Sequence, residues 1–375
     1  MNLKQKIQQF AKTIGIDLIG FTTAEPFEET ERILQELSKN IGSEFPFINH
    51  TAKVRCNPKH IMPNARSIIS AAISYTVSEE KLPKRDDSPF LGWISRYAVS
   101  RDYHIIMEKK LQQVAEYIKQ IKPIEYKIFV DDGLMVDRAV AQRAGIGWFG
   151  GNTCIFTEEY GSWVFLGNIL LDIEIEPDTP LHNKCDRCGR CVKACPTGAL
   201  VEPYVVNPYR CLSYITQMRG CIPREFRPLM SKRIYGCDTC QYVCPKNHEI
   251  KAGDHEEFYP LITPYPDLIS ILNMSKKEFD ITFGKTAAGW RGKNIIQRNA
   301  VIALGNYKDE RAGDVIKKAL LHPSPQVRGH AAWALTRIEG YNYKNELEKA
   351  IRRETDEYAK REMLYSLENG GEPNE

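Results

Sequence analysis

CDRCGRCVKACP, residues 185–196, sets four cysteines in a C-x2-C-x2-C-x3-C run closed by a proline, and its reading decides the fold. The chain has 375 residues and eleven cysteines, nine of them between residues 185 and 244. Random core use does not concentrate thiols in this way. A reducing compartment argues against a disulfide framework, so metal binding is the better explanation. Zinc sites pair two C-x2-C hooks. A triple hook ending in Cys-Pro instead wraps three irons of a cubane and directs its fourth thiol elsewhere.

That fourth thiol requires a second motif, and GCDTCQYVCP, residues 236–245, supplies it. The crossed pattern of bacterial two-cluster ferredoxins assigns Cys185, Cys188, Cys191 and Cys244 to one [4Fe–4S] cluster. Cys195, Cys237 and Cys240 fall to the other, which needs one more ligand. Cys211 and Cys221 are the alternatives. RCLSY resumes regular structure after the turn at Pro208, which favours Cys211. Cys56 and Cys154 stand alone in apolar surroundings and read as core residues.

Outward from this segment the composition is ordinary. Hydrophobic residues make up 42% and charged residues 26%, with a net charge of +3, so any nucleic-acid surface must be local. MNLKQKIQQFAKTIGIDLIGF has the period of an amphipathic helix rather than a secretory signal. No stretch is apolar for long enough to span a bilayer. A cytoplasmic protein without membrane contact is expected. Residues 1–180 alternate helical and extended patterns. SIISAAISY (67–75) and EYKIFV (125–130) read as buried strands, residues 105–121 and 135–147 as helices, and 153–171 as a hairpin. Residues 181–250 cannot bury much core and need inorganic staples. In residues 251–375, Ala303-Leu304, Ala334-Leu335 and Ser366-Leu367 recur at a spacing that suits stacked HEAT-like helix pairs.

Two cubanes side by side form a one-electron wire, and a wire implies an acceptor. The α/β region has neither a G-x-G-x-x-G fingerprint nor a P-loop. AGIGWFGG (144–151) is glycine-rich without either spacing. FVDDG followed by DRAVAQRAGIGWFG, the crossed cysteine motifs, YGCDTCQYVCP and the terminal WRGKNIIQRNA together resemble epoxyqueuosine reductase over nearly the whole chain. The resemblance implies an α+β multidomain fold: a mixed α/β cobalamin-binding reductase domain over 1–180, a ferredoxin-like two-cluster domain over 181–250, and a HEAT-like α-solenoid over 251–375. It also implies an enzyme that uses cobalamin and two [4Fe–4S] clusters to reduce the epoxide of epoxyqueuosine to the alkene of queuosine, at the wobble position of tRNA bearing a GUN anticodon.

Residue by residue, the resemblance places Arg55, Ser95, Asp131, Ile155, Leu166, Ser213, Cys237 and Asp238 near the corrin. Ser95, in GWISRYAVSRDYH, stands where some family members have Cys. Asp131 matches the family's proton donor. The departing epoxide oxygen must be protonated, and a carboxylic acid keeps its proton near neutral pH only where burial or a neighbouring negative charge holds it. Asp132 is a possible neighbour of this kind. Arg101, Asp102, Tyr103 and His104 would line the nucleoside pocket, with Asp102 equally suited to cap the following helix.

KTAAGWRGKNIIQR (285–298) carries Lys285, Arg291, Lys293 and Arg298 around Trp290 without an acid, and Arg219 begins a second basic run through Arg224, Arg227, Lys232 and Arg233. Interleaved cations and aromatics suit phosphate contact and base stacking, so these residues are expected to contact tRNA. An external electron donor and a monomeric state complete the expectation. Two rivals remain: a cobalamin and iron–sulfur reductase of a small halogenated or epoxide substrate, and a non-catalytic electron-transfer subunit.

Overall fold

SIISAAISY forms a strand buried along its whole length, as a continuous apolar run with β-branched residues requires when both faces of a sheet are covered. It is β2 (Ser67–Ser74) of an antiparallel sheet with β1 (Leu18–Thr23), β3 (Tyr126–Phe129) and β4 (Val164–Leu171), in the order β1-β2-β4-β3. The computed structural model describes residues 1–41, 51–85, 87–131, 133–338 and 342–370. Asp132 lies outside the described residues.

The helix Tyr103–Ile121 covers one face of the sheet, capped by Asp102, whose Oδ1 accepts from the His104 N–H at 3.1 Å. It lies so close over β4 that a Cβ on Gly167 would stand 2.7 Å from Leu111 Cδ1 and 3.0 Å from Met107 Cε. The other face carries the helix Asp137–Arg143, whose Ala139 and Val140 share an apolar cluster with Ile68, Phe129 and Leu170. Asn2 and Gln5 form a capping box at the start of the N-terminal helix Leu3–Thr13. The hairpin expected over 153–171 is divided. Ile155–Phe156 pairs backwards with Trp148–Phe149 around the turn at Gly150-Gly151, while Val164 onward joins the sheet.

The chain resolves into two compact units. The first combines residues 1–81, 101–209 and 239–259, and contains this sheet. The second combines residues 82–100, 210–238 and 260–375. Its C-terminal part stacks the helices Lys293–Tyr307, Pro325–Thr336 and Glu357–Asn369 in one layer, with Gly313–Ala319 and Lys344–Arg353 packed beside them. Ala303-Leu304, Ala334-Leu335 and Ser366-Leu367 fall on the three stacked helices. Small residues set their separation: a Cβ on Gly305 would meet Ala334 Cα at 2.8 Å, and one on Gly329 would meet Tyr358 Cε1 at 3.0 Å. Among the described residues no helix is long and apolar enough to cross a membrane.

Candidate active site and cluster centre

The first unit gathers the thiols of Cys185, Cys188, Cys191 and Cys244 around one small cavity. Cys185 and Cys188 sit in the loop entering the helix Arg190–Ala194, which holds Cys191. Cys244 follows the short helix Thr239–Tyr242, which packs on the first. Gly151 closes the cavity. Its N–H donates to Cys185 Sγ at 3.2 Å, and a Cβ there would lie 3.5 Å from Cys191 Sγ and 3.7 Å from Cys185 Sγ. Burial pushes the Cys244 thiol up, and the neighbouring Cys191, Cys185 and Cys188 push it further. Burial also raises Cys191. Cys185 is held low: burial opposes its ionisation, but bonds from the Tyr204 hydroxyl and the Arg187 and Gly151 N–H groups outweigh it. Sulfurs that repel one another in this way are a donor set for a multinuclear cation, and N–H···S bonds are what a thiolate-ligated cluster uses. The residues present fit a cubane, with one thiol for each iron.

The remaining cysteines divide between the units. Cys195 and Cys240 belong to the first, Cys211, Cys221 and Cys237 to the second. Cys211 is the N-cap residue of the helix Leu212–Gln217. Cys221 is engaged elsewhere. Its thiol donates to Ile222 O at 3.4 Å and accepts from Arg227 Nη2 at 3.3 Å. Cys56 is buried in the core, as expected, and its thiol is raised to about 11, chiefly by burial.

Asp131 stands where β3 runs out. The ladder ends at Phe129 opposite Asn168, so a continued register would set Asp131 against Leu166, on the edge of β4 that β3 leaves open. Asp131 instead leaves the sheet in the left-handed region, at φ +49°. The Tyr103 hydroxyl donates to Asp131 Oδ2 at 2.6 Å. Tyr103 is clamped between rings, stacked on Phe165 at 4.2 Å and on His104 at 4.1 Å. His104 Nδ1 lies 2.7 Å from Asp102 Oδ1. Burial pulls the imidazole down, but Asp102, Asp131 and Glu108 outweigh it and hold it above its usual range. Arg55 fixes the far side of the turn, with Nε donating to Gly133 O at 2.8 Å and Nη2 to Met135 O at 3.4 Å. Burial lowers the Arg55 guanidinium despite the charges of Asp137 and Asp131.

Ile155 is buried and shares an apolar cluster with the half-buried Leu166. In the second unit, Asp238 is buried with Oδ2 accepting from the Arg96 N–H at 2.7 Å. Burial raises its carboxyl, against the Arg96 N–H and the Ser95 hydroxyl. A Cβ on Gly236 would collide with Ser95 Oγ, so Ser95 and the start of the Cys237-Asp238 pair form one tight knot. Ser213 O accepts from Gln217 Nε2 at 2.8 Å.

The basic residues separate sharply. Arg219 and Lys285 are exposed, and Arg291 and Lys293 are half-buried. The Arg291 guanidinium lies 3.6 Å from the centroid of Trp290, and Lys293 Nζ reaches Met274 O at 3.4 Å. Arg298, expected at the tRNA surface, is instead fully buried. Its guanidinium donates to Met218 O at 2.9 Å, Gly220 O at 2.7 Å and Thr216 O at 3.4 Å. Those buried carbonyls need donors, and Arg298 is committed to them rather than to phosphate. Arg227 is likewise buried and paired with Glu362 at 2.8 Å, and Arg224 reaches the same carboxylate at 2.6 Å. Arg233 is buried against Trp93. Periodicity gave no sign of Gly151 beneath the thiols or of the Tyr103–Asp131 bond, because both pair residues far apart in the chain.

Three family models match. That for "Epoxyqueuosine reductase QueG, DUF1730" covers residues 55–132, that for a "4Fe-4S double cluster binding domain" residues 184–247, and that for "HEAT repeats" residues 292–368. The epoxyqueuosine reductase of Bacillus cereus is 40% identical over 374 residues, covering 98% of this chain and 97% of its own. That of Escherichia coli K12 is 34% identical over 336 residues, 89% of each. A crystal structure of epoxyqueuosine reductase with an epoxyqueuosine-modified tRNA-Tyr stem loop superposes with a TM-score of 0.92 at 40% identity, covering 98% of both chains. One from Bacillus subtilis with its catalytic aspartate loop swung out of the active site gives 0.91 at 40%, again over 98% of both. The mixed α/β, double-cluster and helical-repeat architecture expected from the sequence is thereby confirmed. With identity sustained over nearly the full length, the chain belongs to the epoxyqueuosine reductase family of oxidoreductases.

Proposed function

We propose that the protein reduces epoxyqueuosine to queuosine in tRNA, with Asp131 as the acid that protonates the departing oxygen. The observation that carries this reading is the Asp131 carboxyl. It is exposed where β3 ends and β4 is left open, with Oδ2 held by the Tyr103 hydroxyl. The reaction consumes the epoxide, two electrons and two protons, and yields the alkene and water. An alkoxide leaves badly, so one proton must be in place as the C–O bond breaks. Asp131, exposed in the unliganded chain, supplies it once bound substrate and corrin bury the carboxyl; Tyr103 orients it, and Arg55 keeps the turn behind it from relaxing.

The electrons pass through two [4Fe–4S] clusters, on Cys185, Cys188, Cys191 and Cys244, and on Cys195, Cys211, Cys237 and Cys240. Cys211, at the N-cap of the helix Leu212–Gln217, is the proposed eighth ligand. Cobalamin, when bound, supplies a low-potential metal able to deliver electrons to carbon. In the first unit Arg55, Asp131, Leu166 and the buried Ile155 are its proposed contacts. In the second, Ser95, Ser213, Cys237 and Asp238 are proposed, the buried Asp238 carboxyl fixing the segment that bears Cys237.

Functionally the chain divides into a reductase module (1–180), a cluster module (181–250) and a tRNA-binding helical module (251–375). Arg219, Lys285, Arg291 and Lys293 contact the anticodon stem–loop of tRNA with a GUN anticodon. The electrons come from a donor outside the chain, which works as a monomer in the cytoplasm. The test is to quantify Fe, sulfide and Co in reconstituted protein and analyse tRNA nucleosides after incubation under strong reductant. Queuosine forming in step with cobalt content supports the reading. Protein that carries zinc, or that loads both cofactors and leaves epoxyqueuosine intact, overturns it.

A further inference from the structure

We propose that the indole of Trp290 is a stacking platform for one unpaired nucleobase of the bound tRNA loop, and that Gln217 is the positioning residue that fixes its height and orientation. This assignment rests on the tRNA reading above and adds to it a base-level contact.

Trp290 is 54% exposed, whereas Trp148, Trp163 and Trp333 are buried. Exposure alone is common for a large side chain; what sets this indole apart is that it is held in place at the surface. Its Nε1–H donates to Gln217 Oε1 at 3.1 Å. Gln217 is itself buried and fully occupied. Oε1 also accepts from the Tyr235 hydroxyl at 3.1 Å, while Nε2 donates to Ser213 O at 2.8 Å and to the Tyr97 hydroxyl at 3.1 Å. An amide with both donors and its acceptor engaged cannot rotate without breaking several bonds. The ring it holds is therefore preorganised, and stacking on it costs little ordering entropy.

The surroundings select the partner. The Arg291 guanidinium lies over one face of the indole, so the base is assigned to the opposite face; Arg219 is close enough to act on Arg291 electrostatically, and the exposed Lys285 precedes them. Residues 285–298 contain no acid. A docking site for protein is normally poor in charge at its centre. A fixed aromatic face set among cations matches an unpaired base flanked by phosphates.

The experiment measures binding of an anticodon stem–loop to the cluster-loaded chain over a salt series. Trp290→Ala should lose about tenfold or more in affinity with the slope of log K against log salt unchanged, because no phosphate contact is removed. Trp290→Phe, which keeps an aromatic face but loses the bond to Gln217, should fall between wild type and Trp290→Ala. Arg219→Ala should instead flatten the slope by roughly 0.7–0.9. Stem–loops with one abasic loop position each identify the base: for a single position the abasic and Trp290→Ala losses should not add. Gln217→Leu should weaken that same coupling without altering cluster absorbance. Affinity of Trp290→Ala equal to wild type, or losses that add at every abasic position, overturns the proposal and leaves the tRNA reading standing. A wild-type chain that binds no stem–loop removes both.

Discussion

At Asp131 a non-glycine residue adopts φ +49°, a conformation that costs on the order of 1 kcal/mol or more and persists only where its surroundings hold it. The Tyr103 hydroxyl and the Arg55 clamp on the following turn are those surroundings. Asp131→Asn should keep both clusters and stem–loop affinity while kcat falls by about 10²–10⁴; full turnover of epoxyqueuosine by that variant removes Asp131 from the acid's role. Among the thiols, Cys211→Ser should lose about half the iron of reconstituted protein, as expected when one of two like clusters fails, whereas Cys221→Ser should keep all of it. Equal iron in the two variants counts against the assignment. At this scale the gathering of Cys185, Cys188, Cys191 and Cys244 round one cavity was legible, because the crossed cysteine motif links two segments by their spacing. Arg298 was misjudged because a cation in a basic run looks the same whether it faces phosphate or buried carbonyls. Only the fold brings Met218, Gly220 and Thr216 beneath it.

Among the elements, the stacked helices depend on charges hidden between them. Glu362 neutralises Arg227 and reaches Arg224, in a region that also buries Arg298 and His330. Removing one member of a buried pair leaves its partner uncompensated. Glu362→Ala should therefore cost about 3–5 kcal/mol in denaturant unfolding, and a change near zero would mean that water reaches Arg227. Two histidines make the same helices sensitive to acid. Burial, with Lys293 and Arg328, lowers His322 to about 4, and burial with Arg227 and Arg298 drives His330 well below its ordinary 6.5. In the unfolded chain both take up protons as pH falls below about 6.5, while the folded state cannot, so stability is present above that pH and declines from it toward 4. Thermal midpoints should fall over this window, and His322→Gln should make the decline shallower. An unchanged slope would show that His322 protonates freely when folded. The helical layer was readable from the recurrence of Ala-Leu pairs. The broken hairpin at 153–171 was not, because pairing of Ile155–Phe156 with Trp148–Phe149 depends on a turn of two glycines whose partner strand is only two residues long.

For the whole molecule, the sequence laid its modules end to end, while the contacts interleave them. Residues 82–100 and 210–238 lie in the helical unit, and 239–259 returns to the sheet-bearing one. Such long-range exchange leaves no local trace in composition. The polypeptide passes from one unit to the other at 81/82, 100/101, 209/210, 238/239 and 259/260, five passages in all. No single scission can therefore release either half with its core whole. A nick at any of these joints should leave fragments that co-elute under native conditions and separate only in denaturant, and recombining halves from two relatives at one breakpoint should yield insoluble hybrids. Inheritance of this enzyme is in effect all or nothing: the sheet-bearing half and the helical half have to evolve as one gene, by substitution rather than by shuffling.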